Sequence, residues 1–301
     1  MKRLAVAASG VALLSSVVLS GCAAFTDDSA TSADGVQVAA AFYPLQYVAD
    51  RVAGDHAEVE NLTAPGGEPH DLELNPTETA DVARADLVLY QRGFQPAVDD
   101  AVDENAGGEL LDTAKIVDLV PFRDHGVDSD ELDPHFWQDP LLLADVGDAV
   151  AKKLGEVDPD HADDYDANAA ALRADLEQLD SAYTSGLADC QRDTVVVSHD
   201  AFGYLQRYGI KMDAILGLSP DSEPTPADLA RLQDVIRTQG ITTVFSETLQ
   251  SPETADSLAN DMGVQSKVLD PIEGLSDETA DEDYLSLMRS NLSAIEEANG
   301  C

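Results

Sequence analysis

Basic residues are scarce: 17 Lys and Arg stand against 58 Asp and Glu, a formal net charge of −41 over 301 residues. Such a field repels phosphate backbones, which excludes nucleic acid as a partner. The imbalance suits cation attraction or salty surroundings, but its first meaning is a heavily solvated surface, because net charge sets solubility and steering and does not define a site. After the first twenty or so residues no apolar run approaches the roughly 20 needed for a membrane-spanning helix, so the remainder reads as a soluble body. No glycine-rich phosphate loop or nucleotide fingerprint occurs. Cysteine is limited to 3 residues and histidine to 6.

What is present begins with a leader. Met1-Lys2-Arg3 is basic and runs into the apolar stretch Leu4 to Leu19, too short for a stable span but laid out as a secretory signal over residues 1–21. It ends in Leu19-Ser20-Gly21-Cys22, which looks like a bacterial lipobox, making Cys22 the lipidated first residue of the mature chain, held at the outer face of the cell membrane. Residues 22–35, rich in Ala, Ser, Thr and Asp, read as a flexible tether. Cys190 and Cys301 remain, and export to an oxidising compartment pairs them in a structural disulfide. Neither is then expected to bind metal.

Strand and helix patterns alternate along the body. Strands are expected at Val36–Tyr43, Val59–Leu62, Asp86–Tyr90 and Lys115–Leu119, with helices around Leu45–Val52, Pro76–Ala85 and Pro96–Val102 between them. The second half repeats the scheme with strands Thr194–Ser198, Ile210–Leu216, Thr242–Phe245 and Val264–Leu269, and helices Ala201–Tyr208, Pro226–Thr238, Pro252–Met262 and Asp281–Glu297. This order predicts an α/β protein of two lobes, each a mainly parallel sheet flanked by helices. Between them Tyr165, Leu172, Leu176, Leu179, Tyr183 and Leu187 recur at helical spacing, predicting one long, stiff connecting helix. The expected parts are residues 36–159 for the first lobe, 160–189 for the linking helix and 190–301 for the second lobe.

Three histidines stand in unusual settings. His70 follows Pro65-Gly66-Gly67-Glu68-Pro69 after a strand, His135 lies in Asp133-Pro134-His135-Phe136-Trp137-Gln138-Asp139-Pro140 before a helix, and His199 ends the strand Val195-Val196-Val197-Ser198. Ligands of open α/β sheets bind beyond the carboxyl ends of the strands, so these residues can converge in an interlobe cleft. Three imidazoles and one carboxylate make a tetrahedral shell suited to Zn²⁺. The fourth candidate is Asp270 in Val268-Leu269-Asp270-Pro271, with Glu247 as competitor. His56 and His161 lie among Asp, Glu and Ala and read as solvated surface.

The segments Pro69-His70-Asp71, Asp133 to Pro140, Ser198-His199-Asp200-Ala201-Phe202-Gly203-Tyr204 and Leu269-Asp270-Pro271 resemble the ligand segments of the solute-binding proteins of zinc and manganese ATP-binding-cassette importers (cluster A-I, or cluster 9), in the same order. The resemblance implies His70 and His135 from the first lobe, His199 and Asp270 from the second, and no ligand role for Glu247. It also implies an ABC permease as partner and a monomer that binds and hands over metal without catalysis. Zinc members often carry a long histidine-rich loop before the second ligand, whereas Arg123 to Leu132 is short and acidic, with only His125. Manganese members commonly have glutamate where this chain has His199, so three histidines favour zinc over Mn²⁺. Two readings of other classes stay open: a zinc hydrolase, using Glu68 or Glu247 as base beside an open metal position, and a surface adhesin.

Overall fold

The structure is a computed structural model that describes residues 35–124 and 127–301; the leader, Cys22, nearly all of the tether and His125 lie outside the described residues. The first sheet is built from β1 (Val36–Ala40), β2 (Ala57–Asn61), β3 (Leu87–Tyr90) and β4 (Glu109–Asp112), with α1 (Tyr43–Ala53), α2 (Pro76–Arg84) and α3 (Pro96–Asn105) between successive strands. The strand order is β2-β1-β3-β4, all parallel. All four residues of β3, Leu-Val-Leu-Tyr, are buried, as a strand covered by helices on both faces requires. The starts of the helices are written locally. Asn75 caps α2 reciprocally with Glu78, with Pro76 at the first helical turn.

A small antiparallel hairpin, β5 (Pro121–Asp124) with β6 (Val127–Leu132), leads to α4 (Pro140–Val157) and the 25-residue α5 (Ala162–Gly186). The second sheet comprises β7 (Thr194–Val197), β8 (Lys211–Ala214), β9 (Thr243–Ser246) and β10 (Gln265–Val268), with α6 (Pro226–Gln239) and α7 (Glu253–Met262) on its connections and α8 (Tyr284–Asn299) closing the fold. Its order, β10-β9-β7-β8, is again wholly parallel. Two α/β lobes joined by one long helix are therefore present as expected.

α5 would run ~37 Å at 1.5 Å per residue. Its buried stripe is Tyr165, Ala169, Leu172, Leu176, Leu179 and Tyr183. At one end Asn168 Nδ2 donates to Val52 O (3.0 Å) and Arg51 pairs with Asp175 (2.7 Å); at the other Tyr183 Oη donates to Met288 O (2.7 Å) on α8. The helix is thus fastened to both lobes. One buried apolar cluster runs through the body from Val38 and Leu89 to Tyr284 and Ile295, while a smaller one, including Val196, Leu232, Ile236 and Leu258, backs the second sheet. Cys190 and Cys301 form the expected disulfide.

Several local expectations are corrected. The strand expected at Lys115–Leu119 is β4, at Glu109–Asp112, because Asp112 ends the strand by accepting from Arg92 N and Ala114 N (both 3.1 Å) and turns the chain into a 3₁₀ segment. The helix expected at Ala201–Tyr208 is a 3₁₀ turn, Gly203–Tyr208, stopped by Gly209 in the left-handed region (φ 84°). Most of the acidic stretch Arg123 to Leu132 pairs as the β5–β6 hairpin, through backbone bonds that a polar sequence does not announce.

Candidate metal centre

His70, His135 and His199 reach one point through three different local devices. The loop after β2 begins with a turn in which Gly67 N donates to Ala64 O (2.9 Å), with Pro65 second and Gly66 third at φ 78°. Only a residue tolerant of positive φ fits that third place. His135 opens the 3₁₀ turn Phe136–Gln138 that precedes α4. Asp133 Oδ1 accepts from both its backbone N (3.0 Å) and its ring Nδ1 (2.8 Å). His199 follows β7 and is gripped the same way by Glu247 at the end of β9: its N donates to Oε1 (2.8 Å) and its Nδ1 to Oε2 (2.7 Å). A carboxylate on Nδ1 fixes tautomer and ring orientation, leaving Nε2 free to bind a metal.

The fourth member of the cluster is Glu273. Its Oε1 lies 3.1 Å from His135 Nε2, 3.3 Å from His199 Nε2 and 3.4 Å from His70 Nε2, and the two nitrogens of His70 and His135 are 3.3 Å apart. One donor atom from each of the four lies within 4.8 Å of all the others. Bonds of ~2.0–2.1 Å at tetrahedral angles put donor atoms about 3.3 Å apart, and the three nitrogen–Glu273 separations and the His70–His135 separation match that spacing. His199 Nε2 and both Glu273 oxygens are buried without a hydrogen-bond partner. Such atoms are costly unless a ligand meets them.

Burial pushes the Glu273 carboxyl up, but His199, His135 and His70 around it prevail and hold it well below the usual carboxylate range. Burial lowers His70. It acts the same way on His135 and His199, where Asp133 or Glu247, together with Glu273, outweighs it and raises both rings. Three carboxylates around the imidazoles make the pocket one that favours a dication. Phe94 meets His70 edge-on at 4.8 Å and Trp137 lies 5.2 Å from the His135 ring, walling the centre with aromatic surface. Solvent reaches it from one side: the His70 side chain is 10% exposed and borders a cavity of about 580 Å³, while the other three are 0–1% exposed.

Asp270, the fourth residue expected from the sequence, is not in the cluster. Its Oδ1 accepts from Ile272 N (2.7 Å), its own N and O are bonded to the Asn291 amide (2.9 and 2.6 Å), and Pro271 O accepts from Trp137 Nε1 (2.9 Å) and Gln138 Nε2 (2.6 Å). These bonds hold Ile272 at φ 60°, a left-handed conformation that disfavours a β-branched residue. The loop folds back on itself as a result, and the acid three positions later enters the cleft. Asp270 builds the turn and Glu273 occupies the centre. Glu247 orients His199, and His56 and His161 stack on each other (centroids 4.0 Å) at the surface beside Asp164 and Asp158. The available clue to Glu273 was a lone acid between Ile272 and Gly274 just past a strand end.

The family model for the zinc-uptake complex component A, periplasmic (ZnuA), matches residues 38–298. The chain belongs to this family. As a ZnuA-family member it is 34% identical over 282 residues to the zinc-binding lipoprotein AdcA of Streptococcus pneumoniae, covering 88% of this chain but only 56% of that relative, so the chain spans little more than half of AdcA. It is 29% identical over 280 residues to the high-affinity zinc uptake system protein ZnuA of Bacillus subtilis, covering 88% of each. The crystal structure of the Zn(II)-bound ZnuA-like domain of S. pneumoniae AdcA superimposes with a TM-score of 0.76 at 32% identity, covering 89% of this chain and all of that one. In this ZnuA-family chain the ends of β7 and β9 carry His199 and Glu247, at the point where the strand order of the second sheet reverses, the usual ligand position of open α/β sheets.

Proposed function

We propose that this protein captures Zn²⁺ between its lobes through His70, His135, His199 and Glu273 and delivers it to the permease of an ABC importer. The reading rests on one observation above all: three imidazole nitrogens lie 3.1–3.4 Å from one carboxylate oxygen, and all four donors lie within 4.8 Å of one another. Zinc is favoured over Mn²⁺ because three nitrogen donors in a tetrahedral arrangement suit the former, whereas the latter prefers more oxygen ligands. Transport is favoured over hydrolysis because four protein donors leave no open position for an activated water, and Glu247, a candidate base, is engaged by His199. The protein would act as a monomer on the outer face of the membrane, anchored through lipid at Cys22. Among the described residues no helix is long and apolar enough to cross a membrane.

The test is metal analysis of natively purified full-length protein, followed by competition between Zn²⁺ and Mn²⁺. Zinc should co-purify at one equivalent and displace manganese, and His135→Ala should weaken zinc binding far more than His125→Ala. Equal losses in the two variants, or manganese outcompeting zinc, would refute the proposal. Loss of the lipid label in Cys22→Ser, present in wild type, tests the anchor.

A further inference from the structure

Of the four clustered side chains, His70 is held least by its immediate surroundings. His135 and His199 each give Nδ1 to a carboxylate, while among the described residues the His70 ring has no such partner and is also the one that solvent reaches. Its loop, however, is fastened across the cleft. Glu68 Oε1 accepts from His70 N (3.2 Å), and Glu68 Oε2 accepts from Gln250 Nε2 (2.9 Å) in the opposite lobe. Two residues earlier, Gly66 N donates to Leu275 O (2.7 Å), two positions past Glu273. The seam is tight: a Cβ on Gly274 would lie 3.3 Å from Leu249 Cδ1 and 3.5 Å from Gly67 O. One carboxylate therefore ties the His70 backbone to the lobe that carries Glu273.

We propose that Glu68 and Gln250 are positioning residues whose hydrogen bond latches the His70 loop to the second lobe and sets how long the metal stays bound. The inference rests on the metal-binding reading above. Neither residue belongs to the donor cluster, so each acts through His70. A metal leaves a four-ligand shell by losing ligands one at a time. His135, His199 and Glu273 are buried and cannot swing out without breaking the core, so the first ligand to part is His70, on the side of the cavity. Its loop can withdraw only after the Gln250–Glu68 bond opens. The latch therefore acts on escape more than on capture.

The experiment measures zinc release into excess chelator, and zinc association separately, on the full-length protein. Gln250→Leu, which removes the donor and keeps the bulk, should raise the off-rate ~10- to 100-fold with the on-rate within ~3-fold of wild type, since differences of this kind reside mainly in dissociation. Glu68→Ala should do the same. Glu68→Gln should stay within ~3-fold of wild type, because its amide can still accept from His70 N and bond a reoriented Gln250. The zinc-free Gln250→Leu variant should still melt in one cooperative step, only a few degrees below wild type, as the loss of one hydrogen bond requires. A wild-type off-rate in Gln250→Leu, or a Glu68→Gln variant as fast as Glu68→Ala, overturns the latch. His135→Ala is measured alongside. Wild-type affinity in that variant overturns the metal-centre reading and the latch with it, whereas weakened binding there beside an unchanged off-rate in Gln250→Leu overturns the latch alone.

Discussion

Replacing Glu273 with glutamine removes one charge from the centre and almost no volume. The side chain is 1% exposed and faces three imidazole nitrogens at 3.1–3.4 Å, so the lost charge is not replaced by water. Taking one partner from a buried, compensated charge pair costs ~3–5 kcal/mol, which at about 1.4 kcal/mol per decade is a roughly 100- to 4,000-fold weaker zinc complex. The same loss should appear in stability. At a fixed excess of zinc the ligand contribution falls by the lost binding energy, and for a body of this size the zinc-induced rise in melting temperature should shrink by on the order of 10 °C. The decisive comparison is Asp270→Asn, whose amide oxygen can still accept from Ile272 N. It should keep zinc affinity within ~10-fold, since its effect passes through the turn. Chelator competition and calorimetry on both variants at one pH near neutrality measure this. If Asp270→Asn loses zinc while Glu273→Gln keeps it, the assignment of the carboxylate is wrong.

Glu247→Gln should weaken zinc ~10- to 100-fold by loosening the His199 ring, and affinity equal to wild type in a competition titration would remove Glu247 from the site. Burial pushes the Asp270 carboxyl up to about 6. Because this folded-state value lies above the unfolded one, the cost of ionising Asp270 is absent below about pH 4 and complete above about pH 6, so metal-free Asp270→Asn should gain up to roughly 3 kcal/mol over wild type above pH 6 and nothing near pH 4. Denaturant unfolding at both pH values tests the sign, and a gain confined to acid contradicts it. Reducing Cys190–Cys301, 111 residues apart, should destabilise the metal-free protein by at most ~4–5 kcal/mol. The bonds from Gln191 N and Arg192 N to Asn299 O (3.1 Å) hold the native ends together without the disulfide, so the loss arises in the unfolded chain; a melting temperature indifferent to reductant would show the bond to be idle.

The parts of the fold legible in the sequence are those where burial dictates composition. β3, β7 and β9, buried throughout, read as short apolar runs, and the stripe on α5 declares a helix by its spacing. β4 lies at a sheet edge with Leu110 and Leu111 between acids, and β6 pairs through backbone in an acidic stretch, so neither carries that signal. The site divides along a similar line. His70, His135 and His199 sit where strand ends and a helix start already point toward a cleft. Glu273 does not: its direction depends on a positive φ at Ile272 and on Trp137 and Gln138, more than 130 residues away, capturing Pro271 O. Asp270-Pro271 has the local look of a site because it is a strong turn former, and that is the role the structure gives it.

The apolar cluster that passes through both lobes has a consequence for anyone reporting on this protein from outside. Tyr284 Oη bonds Trp137 O, the Tyr47 and Tyr284 rings lie 5.4 Å apart, and Tyr204 Oη donates to Asp133 O (2.9 Å), so the halves share one solid interior instead of hinging about an empty groove. Fluorophores placed one on each half would be nearly silent to zinc, and the scattering radius would barely change on loading. A sensor made from this scaffold should carry its dye on the loop between Gly66 and His70, which bears the member of the cluster that faces solvent.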